Sequence, residues 1–125
     1  MSNIKNKLIG FIYNSSIPET SVFIKNLIYE LGYSDCNTWS TSLDKLSSYE
    51  NQFSKTSLVV IAGGDGSILK TVRSIYNYSI PILGINFGKI GFMTELDPND
   101  ALEKLPEYIN GRVRKIRRAS CRERV

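Results

Sequence analysis

The stretch LVVIAGGDGSILK, Leu58 to Lys70, constrains the fold more than any other part of the 125-residue sequence. Leu58–Ala62 is apolar at every position, so both of its faces need cover. A central strand of a parallel sheet reads this way. Three glycines then fall within four residues, and a helical interval follows. Ile68, Leu69, Val72 and Ile75 are expected on one face of a helix over Ser67–Tyr76. Asp65–Gly66 would suit a hairpin turn, but no strand-like alternation comes after it. The local reading is strand, glycine corner, helix.

The flanking segments continue the alternation. Lys7–Tyr13 is a short apolar and aromatic strand ending in Asn14, Ser15 and Ser16. Pro18 and Glu19 suit a first helical turn, and Ile24, Leu27, Ile28 and Leu31 share a face up to a stop at Gly32. Residues 33–41 form a weaker strand, and residues 42–53 a short helix through Leu43 and Leu46. Ile80–Ile85 is a second buried strand. Asp97 and Pro98 open a last helix, which Pro106 is expected to kink or end early before Gly111 closes the segment. Strands alternating with helices predict an α/β fold: a Rossmann-like open parallel sheet with helices on both faces. Ligands of such sheets sit beyond the carboxyl ends of the strands. The turns GGDGS and NFGKIG both fall there.

Composition narrows the chemistry. The chain has no histidine, which excludes Ser–His–Asp and Cys–His nucleophile systems and any His-ligated metal. Cys36 and Cys121 form no CxxC pair, so a reducing cytoplasm is the expected address. LIGFIY is too short for a secretory core, and no run reaches the length of a membrane span. The net charge of +4 comes from the end of the chain: seven basic residues and one acidic lie between Arg112 and Arg124, leaving residues 1–111 at −2. No aromatic is interleaved with these charges to stack on bases, so nucleic acid is not an expected partner.

The glycine corner poses a question of charge. Glycines before a helix usually cradle a phosphate on backbone N–H groups, yet Asp65 stands in the middle of this one. The pattern is neither GxxxxGK[ST] nor GxGxxG, because Leu69 takes the place of the third glycine. Asp65 or Ser67 capping the helix is one reading. Close approach of a ligand to the backbone is the other, and it accounts for all three glycines.

GGDGS with Leu69 and Arg73, then GINFGKIGFMTELDP after the next strand, resembles the N-terminal domain of the NAD kinases from about Lys7 to Arg118. The resemblance implies transfer of a phosphoryl group from ATP, in some members polyphosphate, to the adenosine ribose 2′-hydroxyl of NAD, giving NADP. It implies Asp65 as the proton acceptor, with metal ligation as its alternative. It implies nucleotide contacts at Gly63, Gly64, Asp65, Gly66, Ser67, Lys70, Asn86, Gly88 and Phe92. A solvated helix charge is the other reading of Lys70, and surface pairing that of Arg73. Helix capping is the other reading of Ser67, turn-shaping of Asn86 and Gly88, and core packing of Phe92. A divalent cation, Mg²⁺, would accompany ATP, with no resident protein metal site. Partners are then small-molecule nucleotides, and family members commonly form homo-oligomers.

The same resemblance sets expectations for domain organisation. Residues 1–111 make the α/β nucleotide-binding domain, and residues 112–125 begin a second, β-rich domain whose remainder is missing. From Ala119 the family's apolar course gives way to SCRERV, which reads as non-native. The isolated chain is then an incomplete fragment expected to lack turnover. The alternatives are a non-catalytic nucleotide-binding module, or a lipid or sugar kinase of the wider GGDG group.

Overall fold

The computed structural model describes residues 8–31, 38–87, 96–109 and 117–118. Five strands form one sheet: β1 (Leu8–Tyr13), β2 (Thr38–Ser42), β3 (Thr56–Gly63), β4 (Pro81–Asn86) and the two-residue β5 (Arg117–Arg118), in the spatial order β2-β1-β3-β4-β5. The first four run parallel, and β5 pairs antiparallel with β4 at one edge. The helices are α1 (Pro18–Glu30), α2 (Glu50–Phe53), α3 (Asp65–Ile75) and α4 (Pro98–Ile109). A 3₁₀ segment, Leu43–Tyr49, leads directly into α2, where the sequence predicted one short helix.

The period of two along the strands divides the core between two faces. Ile9, Phe11, Leu58, Val60, Ala62, Leu83 and Ile85 join Ile24 and Leu27 of α1 and Ala101 and Leu105 of α4. Ile12, Val59, Ile61 and Ile82 join Ile68, Val72 and Ile75 of α3, with Leu46 and Phe53. Each of the Val, Leu, Ile and Phe side chains among them, fully removed from water, contributes about 1.5–3 kcal/mol. β3, whose residues feed both clusters, is thus the strand least tolerant of a polar substitution.

On the α3 face, Trp39 lies across Gly10, its partner in the β1–β2 register. A Cβ on Gly10 would come within 2.4 Å of the indole. The ring stacks on Tyr49 with centroids 5.2 Å apart, and its Nε1 donates to Thr56 Oγ1 at 3.0 Å.

Two expectations need correction. Leu69 does not share the buried face of α3: it is 43% exposed, while Ile68, Val72 and Ile75 are buried. Pro106 does not end α4, which runs on to Ile109. The bond that Pro106 cannot donate would have gone to the carbonyl of Leu102, a residue on the exposed side of the helix that solvent can reach.

Candidate active site

From β1 the chain crosses to β2 on one side, and from β3 to β4 on the other. The loops after β1 and β3 therefore diverge at a topological switch point, where open α/β sheets form a crevice. β3 ends at Gly63, whose carbonyl accepts the Phe87 amide at 2.9 Å and so ties this corner to the end of β4. Gly64 is the N-cap of α3, with extended backbone at φ −123° and ψ −166°. The Gly64 carbonyl accepts the Ile68 amide at 3.2 Å, closing the first helical turn.

The helix thus begins at Asp65, two residues before the expected start at Ser67. Neither Asp65 nor Ser67 is the cap residue. Asp65 is half-buried in the first turn, where the helix dipole favours a carboxylate and the leading N–H groups lack intrahelical partners. Ser67 is buried, and its Oγ accepts from Asn14 Nδ2 at 3.2 Å. This bond joins the loop after β1 to α3.

The three glycines have different neighbours. A Cβ on Gly63 would meet Ser67 Oγ at 2.5 Å and Ser67 Cβ at 2.9 Å. The packing of Ser67 thus gives a reason for glycine at 63 within the protein itself, alongside the expected ligand contact. At Gly64 and Gly66 a Cβ would meet nothing within 4 Å. These two positions leave the backbone open to approach.

Beside this corner lies a cleft of about 460 Å³. Asn14 and Ser16 line it from the loop after β1, Leu43 and Asp44 from the 3₁₀ segment, and Gly66, Leu69, Lys70 and Arg73 from α3. Its polar walls are held in place locally. Asn14 Oδ1 accepts the Ser16 amide at 2.9 Å, and Ser15 Oγ donates to Asp44 Oδ2 at 2.9 Å. Thr20 Oγ1, buried at the start of α1, accepts the Asn14 amide at 3.1 Å and lies 2.8 Å from the Asn14 carbonyl. A second hollow of about 510 Å³, lined by Pro18, Glu19, Val22, Phe23 and Phe87, is largely apolar and has no cation in its lining.

Asn86 ends β4, and its amide donates to the Leu96 carbonyl at 2.8 Å. Its Oδ1 is buried without a hydrogen-bond partner among the described residues. Gly88 and Phe92 lie outside the described residues.

The model for the ATP-NAD kinase N-terminal domain matches residues 14–113. The chain belongs to the NAD kinase family. An NAD kinase of Dehalococcoides mccartyi strain CBDB1 is 37% identical over 105 residues, 84% of this chain and 37% of that protein. An NAD kinase of Azoarcus sp. strain BH72 is 39% identical over 67 residues, 54% of this chain and 23% of that protein. That of Salmonella dublin is 46% identical over 55 residues, 44% of this chain and 19% of the relative. The chain therefore spans little more than a third of the first of these NAD kinases, and less of the others.

Against the NAD kinase expectation, the structure brings Gly63, Gly64, Asp65, Gly66, Ser67 and Lys70 to one strand–helix corner, with Asn86 on the strand tied to it. Asn14, Ser15, Ser16 and Asp44 were missed by the sequence reading. The polar AsnSerSer run directly after an apolar strand was the available signal for three of them. Among the described residues no group of three or more His, Cys, Asp or Glu is placed to hold a metal, and no helix is long and apolar enough to cross a membrane.

Proposed function

We propose that this chain carries the α/β half of an enzyme that transfers the γ-phosphoryl group of ATP to the adenosine ribose 2′-hydroxyl of NAD, giving NADP. One observation supports this above the others. In a chain of the NAD kinase family, a carboxylate stands in the first turn of α3 between two glycines whose Cβ positions are open.

The negative charge at the corner then has a use. An ionised Asp65 only accepts hydrogen bonds. It orients the 2′-hydroxyl and takes its proton as the new P–O bond forms. Gly64 and Gly66 let the phosphate chain lie against the leading amides of α3, and Lys70 adds a positive charge one turn on. Asn86 Oδ1 is an acceptor ready for a donor on the nucleotide. Phosphoryl transfer depends chiefly on positioning and charge neutralisation, which such groups provide.

Mg²⁺ would accompany ATP, held by the donor phosphates and water, and when bound would neutralise charge on the transferring group and screen it from Asp65. Ligation of the ion by Asp65 is the alternative to its role as proton acceptor. A cytoplasmic location and assembly of identical chains belong to the same reading.

The test is Asp65→Asn in a chain extended to the full length of its relatives. NADP formation should fall by about 10²–10⁴-fold in kcat, while ATP affinity holds, because the shape survives and the proton acceptor does not. Undiminished turnover would remove Asp65 from this role.

A further inference from the structure

The cleft beside the glycine corner has charges of both signs on separate walls. Lys70 and Arg73, one helical turn apart on α3, are exposed on one wall. Asp44 stands on the other, just beyond the end of β2. No ion pair joins Asp44 to either cation among the described residues, and the Asp44 carboxylate is instead held by the Ser15 hydroxyl at 2.9 Å. The cleft between the walls, about 460 Å³, falls within the range of small-molecule sites, roughly 300–1,000 Å³.

This division of charge has a chemical reading. A polyanion alone would be repelled by Asp44. A ligand with phosphates at one end and a vicinal diol at the other would match both walls. Open α/β sheets that bind dinucleotides set a carboxylate against ribose hydroxyls about 20 residues after a glycine turn that follows the first strand. Here the order is inverted, since Asp44 precedes the glycine corner and that corner follows β3; what is shared is a carboxylate facing a phosphate corner at the switch point.

We propose that the cleft seats the phosphoryl donor as a nucleoside triphosphate, Asp44 accepting hydrogen bonds from the ribose hydroxyls while Lys70 and Arg73 hold the phosphate chain. The donor role rests on the kinase reading above. Nucleotide recognition by Asp44 does not. Gly66 belongs both to the cleft lining and to the Asp65 corner, so the terminal phosphate lies next to the proposed proton acceptor. Asp44 thereby selects ATP over inorganic polyphosphate.

The test is calorimetric titration of the 125-residue chain with ATP and, separately, with inorganic tripolyphosphate, both with Mg²⁺. The unmodified chain should bind ATP about tenfold more tightly than tripolyphosphate, the worth of one charge-assisted hydrogen bond. Asp44→Asn should erase that advantage and leave tripolyphosphate binding equal or tighter. Lys70→Ala combined with Arg73→Ala should weaken both ligands. Circular dichroism establishes that each variant is folded, and all three sites are on the surface. Equal binding of the two ligands by the unmodified chain, no ATP binding at all, or ATP binding indifferent to Asp44→Asn would each overturn the proposal.

The outcomes separate from those for Asp65. ATP binding that ignores Asp44, with NADP formation still dependent on Asp65, ends only the donor assignment. ATP binding that depends on Asp44, with turnover indifferent to Asp65→Asn, ends only the reading of Asp65.

Discussion

Gly10 and Gly63 are occupied glycines, whereas Gly64 and Gly66 are vacant ones. Within the sheet, the space that a Cβ would take at Gly10 is filled by the Trp39 ring, and at Gly63 by Ser67. At the start of α3, the same space has no neighbour within 4 Å. The difference separates two uses of one residue type that look alike in sequence. In the first, the missing side chain lets another part of the same chain close in. In the second, it leaves backbone amides accessible from outside. GGDG contains both uses side by side.

Substitution by alanine tests this division. The largest effect is expected at Gly10→Ala, because a rigid indole cannot retreat as a flexible side chain would. Overpacking of this kind costs about 1–3 kcal/mol, measured by denaturant unfolding. Trp39→Phe in the same chain should recover part of that loss, since residues in contact do not combine additively. Gly63→Ala is expected to cost about 1–2 kcal/mol and to disturb the Asn14–Ser67 bond that joins two walls of the cleft. Gly66→Ala should act in the opposite direction and by the least. Alanine suits a helix better than glycine, so stability should rise by up to about 1 kcal/mol, while ATP binding measured by titration weakens. A Gly66→Ala chain that is less stable, or that binds ATP unchanged, would remove the distinction between occupied and vacant glycines.

Much of the fold was legible because the strongest signals lie in its centre. Leu58–Ala62 and Ile80–Ile85 are the two most apolar stretches, and they lie within β3 and make up most of β4, covered on both faces. Of residues 33–41, expected as a strand, 33–37 lie outside the described residues, and β2 itself, TWSTS, has no apolar run. As an edge strand it has one neighbour, β1, and Ser40 faces solvent. The start of α3 was read two residues late, because a first turn needs no apolar residue and its glycine argues against helix. Pro106 looked like a terminator, yet α4 runs past it, anchored in the core by Ala101 and Leu105 just before the proline.

The candidate site was legible in part. Asp65 and its glycines follow one another in sequence, so the motif could be read directly. The opposite wall could not, because Asp44 and Lys70 are brought together only by parallel pairing of β2 with β1 and of β1 with β3. Nothing local marks Asp44 apart from other exposed carboxylates. The packing reason for Gly63 was hidden for the same kind of cause, since it depends on which way the Ser67 side chain turns one helical turn later.

The indole lying on Gly10 has an optical consequence. It is the protein's sole tryptophan, is almost wholly shielded from water, and sits a few residues before Asp44 on the strand that leads into that wall. Tryptophan emission, excited selectively beyond the tyrosine band, thus reports on a single place. A ligand that tightens or loosens the edge of the sheet would shift its wavelength, with no label attached.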